Sequence, residues 1–249
     1  MRVLIVGAGT MGRWFAEVVS DWLSVTFADR DPDTATGAAA ALDATAVGIE
    51  EAQPAEIVCT AVPQSVTLDV LTHVAPLADR AIVDLSGSMG GPVAVMSEYS
   101  ADVERLSLHP LFAPENAPGN IAVVADNAGS IAEELLTRLE DRGHNPFETT
   151  PTEHDRAMET VQAKAHAAIL AYALAAEPVD PSFHTPVSAT LHELTTTVLG
   201  GTPAVYAEIQ SQFSGADELA ERASQIASAD LEAFEQLYRE AAERRSETG

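Results

Sequence analysis

An apolar run rich in β-branched residues, Arg2–Val6 (RVLIV), ends directly in Gly7-Ala8-Gly9-Thr10-Met11-Gly12, and residues 11–23 then carry large side chains at helical spacing. Strand, glycine turn and helix in that order fit G-x-G-x-x-G in the one context where the pattern has a mechanism. The first glycine permits a tight turn, the second lets the backbone approach a pyrophosphate, and the third lets helix and strand pack closely. The helix N-terminus adds N–H donors and a partial positive charge. Gly7, Gly9, Thr10, Met11 and Gly12 are therefore candidate dinucleotide-binding residues. Asp29 ends the next apolar run 17 residues after Gly12, where a carboxylate can accept hydrogen bonds from an adenosine ribose diol. That favours NAD. Arg30 beside it is either a solvated turn residue or a partner for a 2′-phosphate, so NADP stays open. Val62 and Pro63 close a later strand at the crevice and border the cofactor, or mark a plain turn.

Further apolar runs at residues 25–28, 56–62 and 80–85 alternate with helical stretches, which implies a parallel sheet with crossover helices. Strands are also expected at 103–108 and 120–125, a helix at 130–142 and a short strand near 144–149. The composition changes at Thr149-Thr150-Pro151: alanine becomes abundant, apolar residues recur at three and four, and strand runs stop. The expected fold is α/β, a Rossmann-like doubly wound sheet over residues 1–150 followed by an all-helical domain over 151–249. In the second domain one long helix, capped by Thr152 or the Pro151 junction, should run to about residue 177, with others near 186–199, 203–212 and 216–245. Their apolar faces are broad for a small helical layer standing alone, which points to a homodimer through these helices. The last four residues, from Ser246, should fray.

Composition narrows the partners. Asp and Glu total 38 against 13 Lys and Arg, a formal charge of −25 that repels nucleic acid and anionic membranes. Lys164 is the single lysine, and the acidic excess is spread along the chain, a pattern that resembles proteins of salt-in halophiles. Hydrophobic residues make up 46% of the chain, which excludes wholesale disorder, yet no apolar run approaches the ~20 residues of a bilayer crossing. With one cysteine, Cys59, an internal disulfide and a multi-cysteine metal site are excluded. The first residues read as a strand, without signal-peptide architecture, so a cytoplasmic protein acting on a small molecule is expected.

Three segments could carry chemistry. Ser107-Leu108-His109-Pro110 places His109 just past a strand and ahead of a proline-stiffened loop, where an imidazole can serve as a general base. Thr152-Glu153-His154-Asp155-Arg156 opens a helix on which, at 100° per residue, Asp155, Gln162 and His166 lie within ~40° of one another, a polar file beside an apolar stripe. Asp84-Leu85-Ser86-Gly87-Ser88 follows a strand and either offers hydroxyls to the crevice or caps the next helix. His73, His144, His184 and His192 lack metal-site spacing, and no Ser-His-Asp arrangement suggests an acyl enzyme.

In the order GAGTMG, VDLSGSMGGPVAVM, HPLFAP and TEHDRAMETVQAKAH, these segments resemble the prephenate/arogenate dehydrogenase family across both halves of the chain. The resemblance implies oxidative decarboxylation of a cyclohexadienyl substrate with hydride transfer to NAD or NADP, in tyrosine biosynthesis, by a Rossmann domain and a dimerising helical domain. It implies His109 as the catalytic base and His166, with Gln162, as substrate contacts. The family's serine aligns with Gly87 without a gap and with Ser88 after a one-residue shift; Ser88 is taken as its counterpart. Where relatives grip a carboxylate with arginine, this chain has Thr197 and Ala189. Two rival readings share the glycine loop: a β-hydroxyacid dehydrogenase or imine reductase, and a nucleotide-sensing protein without turnover.

Overall fold

The opening run forms β1 (Arg2–Val6), and its Val3, Leu4, Ile5 and Val6 are all buried, as a strand covered on both faces requires. The structure, a computed structural model, describes residues 1–246 and divides into two units, Met1–Ala157 and Met158–Gly249. Among the described residues the first unit holds β1, β2 (Ser24–Asp29), β3 (Thr45–Gly48), β4 (Ala55–Thr60), β5 (Ala78–Asp84), β6 (Glu104–Pro110), β7 (Asn120–Asn127) and β8 (Asn145–Glu148). Between and after them come α1 (Thr10–Val19), α2 (Pro32–Leu42), α3 (Gln64–Val74), α4 (Gly90–Tyr99), α5 (Ser130–Asp141) and α6 (Pro151–Met158).

The strands make one Rossmann-like sheet in the order β3-β2-β1-β4-β5-β6-β7-β8. The order reverses between β1 and β4, and that switch point opens the crevice where ligands of such sheets bind. All ladders are parallel except β6 with β7. The parallel ladders expected from the runs at 25–28, 56–62 and 80–85 are present, and the antiparallel β6–β7 pair follows from length. Residues 111–119 join the two strands, and a parallel crossover needs a dozen residues or more.

Several boundaries differ from the expected ones. β4 stops at Thr60, so Val62 and Pro63 lie in the crevice loop, with Pro63 at the N-cap of α3. β6 runs through Pro110, which puts His109 inside the strand, paired with Ala122, and not past its end. The short β3 escaped the sequence reading because its four residues are part exposed and carry little apolar pattern. The cap of α6 is Thr150: its hydroxyl accepts from Glu153 N at 3.2 Å, and Glu153 Oε2 accepts from Thr150 N at 3.3 Å, a reciprocal capping box.

In the second unit a π-helical stretch, Glu159–Lys164, leads into α7 (Ala165–Ala175), followed by α8 (Pro186–Leu199), α9 (Pro203–Gln212), α10 (Gly215–Ser228) and α11 (Leu231–Ser246). The single long helix expected from residue 152 is thus interrupted. Its π turn breaks the 100° phase on which the polar file was drawn. Gln210 Nε2 donates to Ala163 O at 3.0 Å, satisfying a carbonyl of the π turn, and a Cβ on Gly215 would lie 2.5 Å from Glu159 O, so glycine lets α10 start against it. The helix expected over 216–245 is two helices. Ala229 is extended, and Asp230 Oδ1 accepts from Ala233 N at 2.9 Å, starting α11 with a side-chain cap. Of the fraying expected at the terminus, residues 247–249 lie outside the described residues. Among the described residues no helix is long and apolar enough to cross a membrane.

Candidate active site

The glycine loop is shaped by backbone crowding. Gly7 has φ +104°, and a Cβ there would lie 2.3 Å from Ala61 O at the end of the neighbouring strand. A Cβ on Gly12 would lie 2.0 Å from Gly7 O, so the third glycine lets α1 fold back over the turn. Gly9 differs, with nothing within 4 Å of its would-be Cβ. That open space, at the N-cap of a helix without a side-chain cap, suits the approach of a pyrophosphate. Asp29 Oδ2 accepts from Ala8 N at 2.8 Å and Oδ1 from Asp31 N at 2.9 Å, which ties the end of β2 to the loop. A cavity of about 390 Å³ lies alongside, lined by residues that include Gly9, Thr10, Arg13, Trp14 and Thr34. Met11 is half-buried against the core and Arg30 is exposed. The glycine geometry, the open N-terminus and the carboxylate together fit a dinucleotide.

Farther along the sheet, β6 presents His109 on the same face as Ser107. The His109 ring is buried, and its Nδ1 lies 2.9 Å from Nε2 of His154 on α6. His154 Nδ1 in turn lies 2.9 Å from Asp155 Oδ1. The Asp155 carboxylate also accepts from Met89 N at 2.9 Å and from Gly90 N at 3.1 Å, at the start of α4. An ionised carboxylate can only accept, so this chain assigns the tautomers. His154 donates from Nδ1 and accepts at Nε2, and His109 donates from Nδ1. The basic lone pair of His109 is thereby left on Nε2, 3.8 Å from where a side chain at Gly87 would begin.

Electrostatics keep this ring neutral. Burial, with the adjacent His154 adding to it, pulls the His109 pKa down to about 3 against a smaller opposing pull from Asp155. Burial alone would raise the Asp155 carboxyl, but hydrogen bonds from His154, Met89 and Gly90 outweigh it and hold the group ionised. Sequence reasoning placed Asp155 in a polar file and left His154 without a role. The adjacency His-Asp at the start of a helix was the available signal, but only the fold shows that it meets β6.

The loop between β5 and α4 is held from below. Asp84 is buried and accepts from Ser86 Oγ at 2.7 Å, Ser86 N at 3.2 Å, Thr60 Oγ1 at 3.0 Å and Ser107 Oγ at 3.3 Å. The hydroxyl of Ser86 thus turns inward to the carboxylate and does not cap α4. Burial pushes the Asp84 carboxyl up to about 6 in spite of these donors. Ser88 is buried on the same loop. Gln64, at the start of α3, was not singled out from the sequence; its Oε1 lies 2.9 Å from the would-be Cβ of Gly87. After His109 the chain is pinned by aromatic packing, with Phe112 stacked on His144 and Trp14 edge-on to both rings.

The second unit carries the other expected substrate residues. Gln162 sits in the π turn, and His166 opens α7 with its ring edge-on to Tyr206 at 4.9 Å. Among the described residues His166 Nδ1 is buried without a hydrogen-bond partner, and burial lowers the pKa of the ring. Lys164 is paired with Glu218 at 2.5 Å, and the Thr197 hydroxyl donates to Glu193 O of its own helix at 3.2 Å. His184 and His192 face each other at 5.7 Å, and no group of three or more metal-ligating side chains gathers among the described residues.

A family model described as NADP oxidoreductase, coenzyme F420-dependent, matches residues 2–87, from β1 to just past β5. The chain is 28% identical over 239 residues to 4-amino-4-deoxyprephenate dehydrogenase of Streptomyces pristinaespiralis, covering 86% of this chain and 78% of that protein. It is 24% identical over 225 residues to a protein of Methanocaldococcus jannaschii named as an arogenate/prephenate dehydrogenase, covering 83% of this chain and half of that one. The fold is that of prephenate dehydrogenase from Aquifex aeolicus, solved with hydroxyphenyl propionate and NAD+: the TM-score is 0.72 at 17% identity, over 100% of this chain and 99% of that one. The chain resembles the prephenate/arogenate dehydrogenases. Likeness to these dehydrogenases extends beyond the nucleotide fold, since the aligned stretches take in most of the chain while the family model stops at residue 87.

Proposed function

We propose that this chain catalyses the oxidative decarboxylation of prephenate or arogenate with a nicotinamide dinucleotide as oxidant, in tyrosine biosynthesis. The observation that carries the reading is the His109–His154–Asp155 relay, which fixes a basic nitrogen in the unit that holds the glycine loop. In this reading residues 1–150 hold the dinucleotide: the Gly7–Gly12 turn and the N-terminus of α1 take the pyrophosphate, Asp29 the ribose, and Val62 and Pro63 border the ring. Residues 151–249 serve substrate binding and dimerisation. A nicotinamide dinucleotide held there would supply the hydride acceptor for the ring carbon bearing the hydroxyl, so that prephenate plus NAD+ would give a phenol, CO2 and NADH without net proton release.

The chain's own residues handle the proton. His109 Nε2 accepts the hydrogen bond of the ring hydroxyl and takes its proton as hydride departs. A buried imidazole is a weak base, but a hydroxyl on a carbon losing hydride becomes a protonated carbonyl, a far stronger acid than an alcohol. The ring carboxylate leaves as CO2, its bonding electrons make the ring aromatic, and the proton returns to the phenolic oxygen. General-base assistance of this kind contributes ~10² to 10⁴ in rate. Ser88 supplies a hydroxyl on the loop before α4, and Gln162 and His166 contact the substrate. Arginine is absent at 189 and 197, so the reading assigns the anionic end of the substrate to His166, whose Nδ1 is unsatisfied.

Homodimerisation through the second unit belongs to the same proposal, supported by the exposure of Leu174, Phe183 and Leu231. A cytoplasmic location is included, and the unbridged Cys59 suits a reducing compartment. The test is a matrix of prephenate, arogenate and 4-amino-4-deoxyprephenate against NAD and NADP at molar salt, reading the near-ultraviolet absorbance of reduced nicotinamide. Turnover in at least one cell of the matrix is expected. His109→Asn should abolish it with cofactor affinity retained, and a folded protein inert in every cell would overturn the reading in favour of a nucleotide sensor.

A further inference from the structure

Gly87 is a glycine without a backbone reason. Among the described residues the glycines with left-handed φ are Gly7 and Gly143, so an L-residue could take the backbone of residue 87. A side chain there would meet Gln64 Oε1, the movable end of a flexible side chain, 2.9 Å from the would-be Cβ, while His109 Nε2 is 3.8 Å from the same point. Three elements therefore converge on one small volume: the first turn of α3 through Gln64, the loop after β5 through Gly87, and β6 through His109. Gln64 is half-buried and follows directly on the crevice residues Ala61, Val62 and Pro63. A carboxamide placed there carries no charge at any working pH, so it does not compete with the imidazole for a proton, and it can both donate and accept.

We propose that the Gln64 carboxamide, admitted by the missing side chain at Gly87, is a substrate-positioning group that hydrogen-bonds the substituent on the reacting ring carbon and aims its proton at His109 Nε2. The inference rests on the dehydrogenase reading and adds to it the residue that orients the reacting group. A hydroxyl that donates to the imidazole keeps lone pairs for the amide N–H of Gln64, and an amino substituent in its place finds the amide oxygen. Position 64 thereby bears on which substituent the site accepts. Orientation of a reacting group governs rate steeply, and loss of one positioning contact is expected to cost about 10²-fold.

The experiment compares wild type, Gln64→Ala, Gln64→Leu, Gly87→Ser and the double variant Gln64→Ala/Gly87→Ser in the full chain. The readouts are kcat and KM with prephenate, arogenate and 4-amino-4-deoxyprephenate, the melting temperature and the cofactor Kd. Gln64→Ala and Gln64→Leu should lower kcat/KM by about 10²-fold, mainly through kcat, with melting temperature and cofactor Kd unchanged. Gly87→Ser should also lose activity, because its Cβ displaces the carboxamide. The double variant should recover about tenfold over Gln64→Ala, since the serine hydroxyl then occupies the vacated volume beside His109. Full activity in both Gln64 variants, or a double variant no better than Gln64→Ala, overturns the inference and leaves the dehydrogenase reading standing. A wild type inert toward every cyclohexadienyl acid overturns both. A Gln64 role in folding alone would show as a lowered melting temperature in Gln64→Leu, and that too counts against the proposal.

Discussion

His109 and Asp84 are buried titratable groups on neighbouring strands, and burial moves them in opposite directions, each toward its neutral form. For His109 the folded pKa lies below the unfolded one. Between about 6.5 and about 3 the unfolded chain takes a proton that the folded chain refuses, so stability is lost as pH falls through that window. For Asp84 the folded pKa of about 6 lies above the unfolded value, the folded chain binds the proton first, and stability is gained as pH falls from about 6 to about 4. The Asp84 contribution is about 3 kcal/mol across that window. Asp84→Asn mimics the protonated form, so its urea-derived stability should lack this gain, and its acid loss should be steeper than that of wild type. A parallel pH dependence in the two proteins would contradict the buried ionisation. For activity, an imidazole already neutral in the folded protein means kcat/KM should hold its neutral-pH value down to about pH 5. In His154→Ala, which removes the ring packed against His109, the acid limb should move up toward about 6.5.

At the scale of elements, the three glycines of the first loop separate stability from binding. A Cβ on Gly12 would sit 2.0 Å from a backbone oxygen, so Gly12→Ala should destabilise by about 1–3 kcal/mol or more, read by chemical denaturation. At Gly9 the Cβ would meet open space, so Gly9→Ala should melt with wild type yet lose NAD affinity, because the methyl occupies the approach of the pyrophosphate. Equal effects of the two substitutions would argue against a phosphate at this turn. This loop was legible in the sequence because its constraints are local: strand, turn and helix are contiguous. So were α8 and α9, where Pro186 and Pro203 mark the starts and the apolar spacing is unbroken. The antiparallel β6–β7 pair was less legible, since a burial pattern does not report strand direction; only the short link does. The π turn was hidden because Glu159–Lys164 has ordinary helical composition, and its irregularity is fixed from outside by Gln210 and Gly215. The relay at His109 and the placement of Gln64 were least legible, because they depend on contacts between residues 45 and 23 positions apart in the chain.

At the scale of the whole molecule, two features of the chain oppose each other, and their balance predicts how it associates. The formal charge of −25 makes two copies repel, and it also strains each folded copy. Against this, the second unit leaves Leu174 89%, Phe183 79% and Leu231 79% exposed, with Val187, Leu199 and Tyr238 also open to solvent. Large side chains this exposed cost free energy unless another surface covers them. A second copy is the occupant that the dimer proposal names, and its apolar contacts fix the sign of the salt response. Salt screens charge repulsion, shortening the Debye length to ~3 Å at 1 M, and excluded anions such as sulfate strengthen apolar burial. Sedimentation should therefore show twice the 26.2 kDa chain mass at molar salt, with the dimer weakening as salt is removed. An interface built on ion pairs would respond in the opposite sense. Leu174→Glu should shift the high-salt equilibrium toward monomer without lowering the melting temperature of the monomer, because a side chain so exposed makes little contact within its own chain. A Leu174→Glu protein that sediments as wild type at every salt concentration would remove α7 from the interface.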